Sequence, residues 1–192
     1  MPQPFSTCFI AFGSNGSDTI SENIKTVQTA MQAVASISPE DSKKSRLFQT
    51  PAFPKGYGPD FVNAVMSVET DLAPDAVLKS LLQIEADMGR VRNERWTQRK
   101  IDLDLIGYGD VVLPNAGTYR HWKDLSFEKQ KVETPPELIL PHPRLQDRAF
   151  VLVPLNDVAP DWVHPVLYKT VQALVQDLPK QDLEEVVPIK LD

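Results

Sequence analysis

Two carboxylates placed two residues apart, Asp102 and Asp104, are the first side chains in this sequence whose type and spacing suggest chemistry. Side chains alternate between the two faces of a β-strand, so both carboxylates would point to one side and Leu103 and Leu105 to the other. Two like charges on one face need a cationic complement. Because Mg²⁺ prefers oxygen ligands and takes one or two protein carboxylates, the pair indicates a magnesium site. A polar strand face is the alternative interpretation.

A dense group of cations precedes the acidic pair. Only Glu94 opposes the positive charges of Arg90, Arg92, Arg95, Arg99 and Lys100. Arginine recognises phosphate through two parallel hydrogen bonds, so a metal site beside an arginine cluster indicates a polyphosphate ligand. A charged run of this kind is also typical of a solvated surface, and spacing alone leaves both interpretations open.

The composition of the whole chain limits the class of protein. Its 192 residues are 42% hydrophobic and 24% charged, which is typical of one globular domain. A net charge of −6 argues against nucleic-acid binding. Cys8 is the only cysteine, so we expect a buried structural thiol and a reducing compartment. Without a signal-like or membrane-spanning segment, we predict a cytoplasmic protein with no membrane contact and no evident protein partner.

The hydrophobic pattern predicts the elements that must position the charged residues. Apolar runs and alternation, bounded by glycine, proline and polar residues, predict strands over 7–12, 45–50, 61–69 and 102–108. Helices with one apolar face are predicted after an N-cap at Ser21 and from Pro74 to Gly89. The order βαββαβ predicts an α+β, ferredoxin-like core, in which helices pack on one face of an antiparallel sheet.

The remaining segments are predicted to add to this core. A polar stretch over about 109–137 is typical of an irregular surface excursion, followed by a short strand near 138–140. Helical additions are predicted after Arg148 and over 171–178, and the acidic tail over about 179–192 is predicted to be loose. The sequence shows no internal repeat, so we predict a single domain over 1–192.

Nine short segments, in a fixed order, resemble one enzyme family. They are Gly13-Ser14-Asn15, Thr50-Pro51, Phe61-Val62-Asn63-Ala64, Ile84-Glu85, Gly89-Arg90-Val91-Arg92, Arg95-Trp96, the run from Arg99 to Leu105, Pro141-His142-Pro143-Arg144 and Arg148-Ala149-Phe150. From Phe9 to about Leu178 the chain resembles the 6-hydroxymethyl-7,8-dihydropterin pyrophosphokinases of folate biosynthesis. The resemblance implies an ATP-dependent pyrophosphokinase that transfers pyrophosphate from ATP to the hydroxymethyl oxygen of a reduced pterin and releases AMP.

The resemblance also implies roles for individual residues. Asp102 and Asp104 would hold two Mg²⁺ that bridge the triphosphate, while Arg90 and Arg99 would neutralise phosphate charge during transfer. The residues implied for ATP binding are Glu85, Arg92, Trp96, Leu105, His142 and Arg148. A solvated carboxylate near the end of a helix is the alternative interpretation of Glu85. The residues implied for pterin binding are Thr50, Pro51, Phe53, Phe61, Asn63, Trp96 and Phe150.

Within the implied pterin site, Asn63 would bond the edge of the ring, and Phe61 and Phe150 would stack on its two faces. Core packing is the alternative role for these two phenylalanines, and a satisfied polar strand residue is the alternative for Asn63. Thr97-Gln98 departs from the Gly-Pro that the family usually has, which changes the backbone freedom next to Arg99.

Two other functions compete with this interpretation. Ferredoxin-like sheets also bind RNA, but this chain is acidic and lacks the aromatic and basic strand motif that such binding uses. A catalytically weak relative could bind nucleotide and regulate a partner. The retained Asp102, Asp104, Arg90 and Arg99 argue against this regulatory function.

Overall fold

One antiparallel sheet carries the candidate residues. The computed structural model describes residues 5–37, 42–52, 58–89 and 100–191. The strands are β1 (Ser6–Ser14), β2 (Ser42–Lys44), β3 (Phe48–Thr50), β4 (Phe61–Thr70), β5 (Asp102–Tyr108) and β6 (Val187–Pro188). The helices are α1 (Ile20–Ala35), α2 (Pro74–Asp87), α3 (Ala116–Lys123), α4 (Phe127–Val132), α5 (Ala149–Val158), α6 (Val171–Asp177) and α7 (Lys180–Glu184). A short 3-10 helix over Leu145–Asp147 precedes α5.

The strand order identifies the topology. The sheet runs β5-β1-β4-β3-β6, and β2 also pairs with β4. Strand β1 lies antiparallel to both β4 and β5. Strands β2 and β3 follow one another along the same edge of β4, so together they take the place of the second predicted strand. The predicted ferredoxin-like βαββαβ core is confirmed.

The boundaries predicted for the second strand, 45–50, are wrong because the chain leaves the strand ladder at Ser45. The Ser45 N–H donates to Val65 O at 2.9 Å, but the Val65 N–H donates to the Ser45 hydroxyl, also at 2.9 Å. A side-chain oxygen thus takes the place of a backbone carbonyl. This change of hydrogen-bond acceptor interrupts the strand pairing and separates β2 from β3.

Helices α1 and α2 cover one face of the sheet. Apolar side chains of β1, β4 and β5 pack there against buried residues that include Val27, Met31 and Val77. Burial of each such side chain contributes roughly 1.5–3 kcal/mol. Cys8 lies in the same layer, where burial and the nearby Glu69 raise the pKa of its thiol to about 12. The predicted buried structural thiol is confirmed.

The ends of these helices differ in how well the sequence predicts them. The N-cap of α1 is Thr19, whose Oγ1 accepts the Glu22 N–H at 3.4 Å, so the cap predicted at Ser21 is wrong. Both residue types form caps, and the extended backbone at Thr19 selects it. The predicted end of α2 is confirmed, because Gly89 adopts φ +83°, a left-handed conformation that favours glycine.

The C-terminal helices cover the opposite face. Helices α5 and α6 pack on a second buried cluster that includes Phe9, Ala11, Val65 and Ile106 of the sheet. The predicted helical additions are therefore present, and they make the sheet the middle layer of three. Because Ala11 pairs in register with Asp104, the acidic residues of β5 open onto this second face.

The region 109–137 is not the irregular excursion that its polar sequence predicts. It contains α3 and α4, and the Tyr119 ring of α3 is fully buried against Ile139 and Val166. One buried ring on an otherwise polar helix produces little hydrophobic periodicity, which is why the sequence pattern misses it.

Two further predictions near the C-terminus are wrong. Residues 138–140 form only an isolated bridge, Leu113 with Leu140, and no strand. The tail is not loose, because β6 pairs with β3 and the Ile189 N–H donates to Leu47 O at 2.8 Å. An open strand edge offers unpaired backbone groups that a following segment can satisfy. Within the described ranges, no helix is both long enough and apolar enough to cross a membrane.

His164 is a fully buried titratable residue in the turn between α5 and α6. Its Nδ1 accepts the N–H groups of Val166 and Leu167, both at 3.2 Å, and its Nε2 lies 3.1 Å from the Tyr119 hydroxyl. Burial lowers the pKa of His164 from 6.5 to about 4. The folded protein therefore keeps this imidazole neutral at pH values where a solvated one is protonated.

Stability is expected to fall as the pH drops below about 6.5, because the unfolded chain binds a proton at His164 that the folded chain does not. The loss builds up between pH 6.5 and the folded pKa of about 4. Across that window it reaches about 3 kcal/mol. Urea unfolding at pH 7, 6, 5 and 4 measures it.

The matched variants for this experiment are His164→Asn and His121→Asn, the latter at an exposed position of α3. His164→Asn should flatten the pH dependence, and His121→Asn should retain it. His142 is present in both variants, so its contribution cancels in the comparison. An unchanged pH dependence in His164→Asn would show that the acid loss has another source.

Candidate functional site

The acidic pair lies on an alternating strand, as its spacing predicts. In β5, Asp102 and Asp104 are partly exposed, while Leu103 and Leu105 are at most 4% exposed within the core. The two carboxylates share the face that α5 covers only in part. They therefore form an oxygen-rich, partly exposed surface at one end of β5.

Gly13 lies between the acidic pair and the predicted pterin edge. In the sheet register, Gly13 pairs with Asp102 on one side and with Asn63 on the other. Strands lie about 4.8 Å apart, so the backbones of Asp102 and Asn63 are separated by about 10 Å across this glycine. A Cβ at Gly13 would lie 3.4 Å from Asn63 Oδ1 and 3.8 Å from a ring carbon of Phe61. Because Gly13 has no side chain, the sheet surface between the Asp102 carboxylate and the Asn63 amide is open. We call this surface the floor of the site.

Three predicted pterin-binding residues come together where β3 and β4 pair. Thr50 pairs in register with Phe61, and Asn63 Nδ2 donates to Thr50 Oγ1 at 2.7 Å. Both polar side chains are buried, with Asn63 only 4% exposed. The hydrogen bond sets the orientation of the amide, so that its oxygen lies toward Gly13. Pro51 directly follows this strand and is partly buried.

The segment from His142 to Arg148 faces the acidic pair from outside the sheet. The His142 N–H donates to Ile106 O of β5 at 2.9 Å, which places this segment beside the strand. His142 Nδ1 accepts the Arg144 N–H at 3.1 Å, so a neutral ring carries its proton on Nε2.

His142 is held in its neutral form. Burial, together with the positive charges of Arg148 and Arg144, keeps the pKa of its imidazole well below the ordinary range, and Asp102 opposes this shift more weakly. At neutral pH the ring therefore presents an uncharged N–H donor rather than a cation. Burial and the positive charge of Arg148 also lower the pKa of the Arg144 guanidinium. Arg144 belongs to one of the segments that resemble the family, but the sequence assigned it no role in the site.

Arg148 links the acidic pair to an exposed aromatic ring. Its guanidinium lies 3.8 Å from Asp104 Oδ2 and 5.7 Å from the centre of the Phe150 ring. Because both members of the ion pair are partly solvated, it contributes at most about 1 kcal/mol, and a ligand can replace it. Phe150 is 40% exposed and Phe61 is partly exposed, so neither ring is fully buried, as core packing, the alternative role, would favour.

Two predicted ATP-binding residues lie on the other side of the sheet. Glu85 is 2% exposed, and its Oε1 accepts the Leu103 N–H at 2.8 Å. The carboxylate thus contacts the backbone between Asp102 and Asp104, and it is not the solvated side chain that was the alternative. Leu105 is buried in the core under α1 and α2, because strand alternation turns it away from the acidic pair.

The turn after β1 holds residues that sequence reasoning did not place in the site. Ser14 Oγ donates to Lys100 O at 2.6 Å, and Asn15 Nδ2 donates to Pro59 O at 3.3 Å. These bonds tie the end of β1 to the segments that enter β5 and β4. In the sequence, only the position of these polar residues at the end of a buried strand could have signalled this role. The candidate residues that lie outside the described residues are Phe53, Arg90, Arg92, Trp96 and Arg99.

The donor set of the acidic pair fits a hard divalent cation. Both side chains offer only oxygen, they share one face, and Asp104 keeps 44% of its side chain exposed. Among the described residues, no group of three or more His, Cys, Asp or Glu side chains could hold a metal. A cation bound by this pair would therefore take most of its ligands from water and substrate oxygens, as Mg²⁺ does.

Comparison with known sequences gives consistent relatives. Residues 9–160 match the family model of 7,8-dihydro-6-hydroxymethylpterin-pyrophosphokinase. A 2-amino-4-hydroxy-6-hydroxymethyldihydropteridine pyrophosphokinase from Synechocystis sp. is 33% identical over 180 residues, which cover 92% of this chain and 78% of that protein. The protein of the same name from Haemophilus influenzae is 32% identical over 165 residues, which cover 83% and 85%.

Comparison with solved structures supports the fold. A triple mutant of Plasmodium falciparum HPPK-DHPS matches with a TM-score of 0.64 at 16% identity, over 91% of this chain. This chain spans 44% of the length of that protein, so the likeness concerns its matching part and the fold alone. Since the family model covers most of the chain and the sequence relatives exceed 30% identity over most of their length, the chain belongs to the 7,8-dihydro-6-hydroxymethylpterin-pyrophosphokinase family.

Proposed function

We propose that this chain transfers pyrophosphate from ATP to the hydroxymethyl group of 6-hydroxymethyl-7,8-dihydropterin and releases AMP, as a step of folate biosynthesis. Membership of the family supports this function. The observation that carries it is the row Asp102, Gly13 and Asn63, in which a carboxylate face and an oriented amide flank an open floor. The separation of about 10 Å can hold a reduced pterin with its hydroxymethyl group toward the carboxylates.

The bond changes of the reaction define what the site must do. The hydroxymethyl oxygen forms a bond to the β-phosphorus of ATP, and the bond from that phosphorus to the oxygen bridging the α-phosphate breaks. AMP leaves with the bridging oxygen, and the hydroxyl proton passes to a base. Such transfer depends mainly on positioning and on stabilising charge, since the protein forms no covalent intermediate.

We assign Asp102 and Asp104 as the residues that would hold two Mg²⁺ ions beside the triphosphate of ATP. When bound, the ions would supply positive charge to the phosphate oxygens. His142 would donate from Nε2 to a nucleotide oxygen without adding charge. Arg148 would exchange its weak pair with Asp104 for a phosphate oxygen, which supports its predicted place in the nucleotide site.

We assign the pterin to the floor beside Asn63. The amide, oriented by Thr50, would bond the ring edge, and Phe61 and Phe150 would stack on the two faces. Partial exposure of both rings supports this assignment, because a ring already packed in the core could not accept a ligand. Each stacked pair would contribute roughly 0.5–1.5 kcal/mol beyond area burial.

Release of AMP tests the function directly. Purified protein with ATP and Mg²⁺ should form AMP when 6-hydroxymethyl-7,8-dihydropterin is present and not when it is omitted. AMP formation independent of the pterin would indicate simple ATP hydrolysis. Binding of ATP without any AMP would overturn the proposal in favour of the regulatory function.

Three broader assignments stay predictions. A single domain over 1–192 is supported by the two apolar clusters, which pack on opposite faces of one sheet. The cytoplasmic location and the lack of a protein partner rest on the sequence alone.

A further inference from the structure

Helix α3 inserts a polar group into an apolar layer near the candidate site. Tyr119 is fully buried in a cluster with Ile139 and Val166, yet its hydroxyl lies 3.1 Å from His164 Nε2 and 3.2 Å from Gln146 Oε1. Burying a hydroxyl is unfavourable unless hydrogen bonds compensate, and a phenylalanine would pack equally well against the cluster. We therefore attribute the presence of the Tyr119 hydroxyl to the two hydrogen bonds that it makes with His164 and Gln146.

The direction of these bonds is determined by their neighbours. His164 Nδ1 accepts two backbone N–H groups, so its proton lies on Nε2 and is donated to the Tyr119 oxygen. Tyr119 in turn donates to Gln146 Oε1. The amide nitrogen of Gln146 then donates to Pro143 O at 3.0 Å and to Asp147 Oδ2 at 2.7 Å. One directional chain of hydrogen bonds runs from His164 to the carbonyl of Pro143.

This chain ends in the segment that faces the acidic pair. Pro143 stands between His142 and Arg144, and Arg148 follows at the start of α5. The bond from the His142 N–H to Ile106 O and the pair of Arg148 with Asp104 attach this segment to β5, and Gln146 attaches it to α3. Attachments to two different elements limit how the segment can rotate about the strand. The network is buried at Tyr119 and His164 and partly exposed at Gln146, and hydrogen bonds at its buried end favour one arrangement over others.

We propose that Tyr119 is a positioning residue of the nucleotide site. Through Gln146 it holds the segment from His142 to Arg148, so that the His142 Nε2–H and the Arg148 guanidinium stay opposite the carboxylates of β5. Tyr119 itself touches no substrate. This inference rests on the proposed function, and it gives the region 109–137 a role in ATP binding.

The test is Tyr119→Phe, which removes the hydroxyl and keeps the ring. The Kd for a non-hydrolysable ATP analogue with Mg²⁺, and the KM for ATP, should both rise by up to about five- to tenfold, which corresponds to the whole net contribution of one hydrogen bond. The KM for the pterin should stay within about twofold. Isothermal titration and steady-state kinetics measure these quantities.

Tyr108→Phe is the matched control. Tyr108 is 7% exposed, and its hydroxyl donates to Leu72 O at 2.8 Å in the layer under α1 and α2. This variant loses a comparable bond on the opposite face, so its stability should fall while its ATP affinity stays that of the wild type. Equal ATP affinities in Tyr119→Phe, Tyr108→Phe and the wild type would overturn the inference.

Gln146→Leu provides a second route if Tyr119→Phe does not fold, because Gln146 lies partly exposed on the 3-10 helix. It should weaken ATP binding in the same way. The double variant should be no weaker than the more affected single variant, because both changes remove one shared bond. Additive losses would overturn the inference. A wild type that forms no AMP would overturn the proposed function, whereas an active wild type with unaffected variants would overturn this inference alone.

Discussion

Replacing Asp104 with Asn is expected to lower pterin-dependent AMP formation by about a thousandfold or more. The amide keeps the size of the side chain but removes the negative charge that would hold a divalent cation. Among the described residues, Asp104 makes a weak, partly solvated pair with Arg148, and the loss of this pair should change the unfolding free energy by less than about 1 kcal/mol. Initial rates of AMP release, with circular dichroism and thermal unfolding on the same sample, measure both effects.

Asp110→Asn is the control for this change. Asp110 is an exposed carboxylate in the turn after β5, so it belongs to the same part of the chain but not to the acidic face. The rate of pterin-dependent AMP formation by Asp110→Asn should stay within about twofold of that of the wild type. Near wild-type activity in Asp104→Asn would contradict the assignment of Asp104 as a ligand of a divalent cation. Loss of the folded spectrum would instead indicate that the acidic pair has a structural role.

Much of the core could be predicted from the sequence because its signals are local. At the start of β5, Asp102 and Asp104 alternate with Leu103 and Leu105, and this period of two specifies which face of the sheet each side chain occupies. Gly89 ends α2 through a conformation that few other residues adopt. In each case the interaction that determines the structure involves residues close together in the sequence, so a local sequence pattern can predict it.

The features that the sequence did not predict depend on contacts between distant residues. The break after β2 arises because Ser45 bonds Val65, 20 positions away. The burial of Tyr119 depends on Val166 and His164, which lie beyond α5. Local periodicity cannot report such partners, and tertiary packing overrides it.

The candidate site shows the same division. Asp102 and Asp104 were predicted from their type and strand spacing, whereas the pterin-binding role of Asn63 was implied by the resemblance to the family. The buried position of Glu85 was not expected, since a carboxylate near a helix end is usually solvated. Its carboxylate accepts a hydrogen bond from the Leu103 N–H and so links α2 to β5. A local sequence pattern cannot show that these two elements lie next to each other. The arginine cluster was found as well, but most of it lies outside the described residues.

Substitution of Gly13 is expected to separate pterin binding from ATP binding. A Cβ at this position would lie 3.4 Å from Asn63 Oδ1, in van der Waals contact with the amide, and would cover part of the surface on which the ring would lie. Gly13→Ala should therefore lower kcat/KM for the pterin by about tenfold, and Gly13→Val, which would fill the floor, by more than about a hundredfold. Valine is favoured in strands, so β1 should still form.

The Kd for an ATP analogue with Mg²⁺ is the internal control, because the nucleotide would contact the Asp102 side of the row and not the Asn63 side. This Kd should stay within about threefold of the wild type in both Gly13 variants. A parallel loss of ATP and pterin binding would mean that the substitution distorts β1 itself. Full activity in Gly13→Val would exclude the floor between Asp102 and Asn63 as the pterin site, because no ring could lie across a valine side chain at that position.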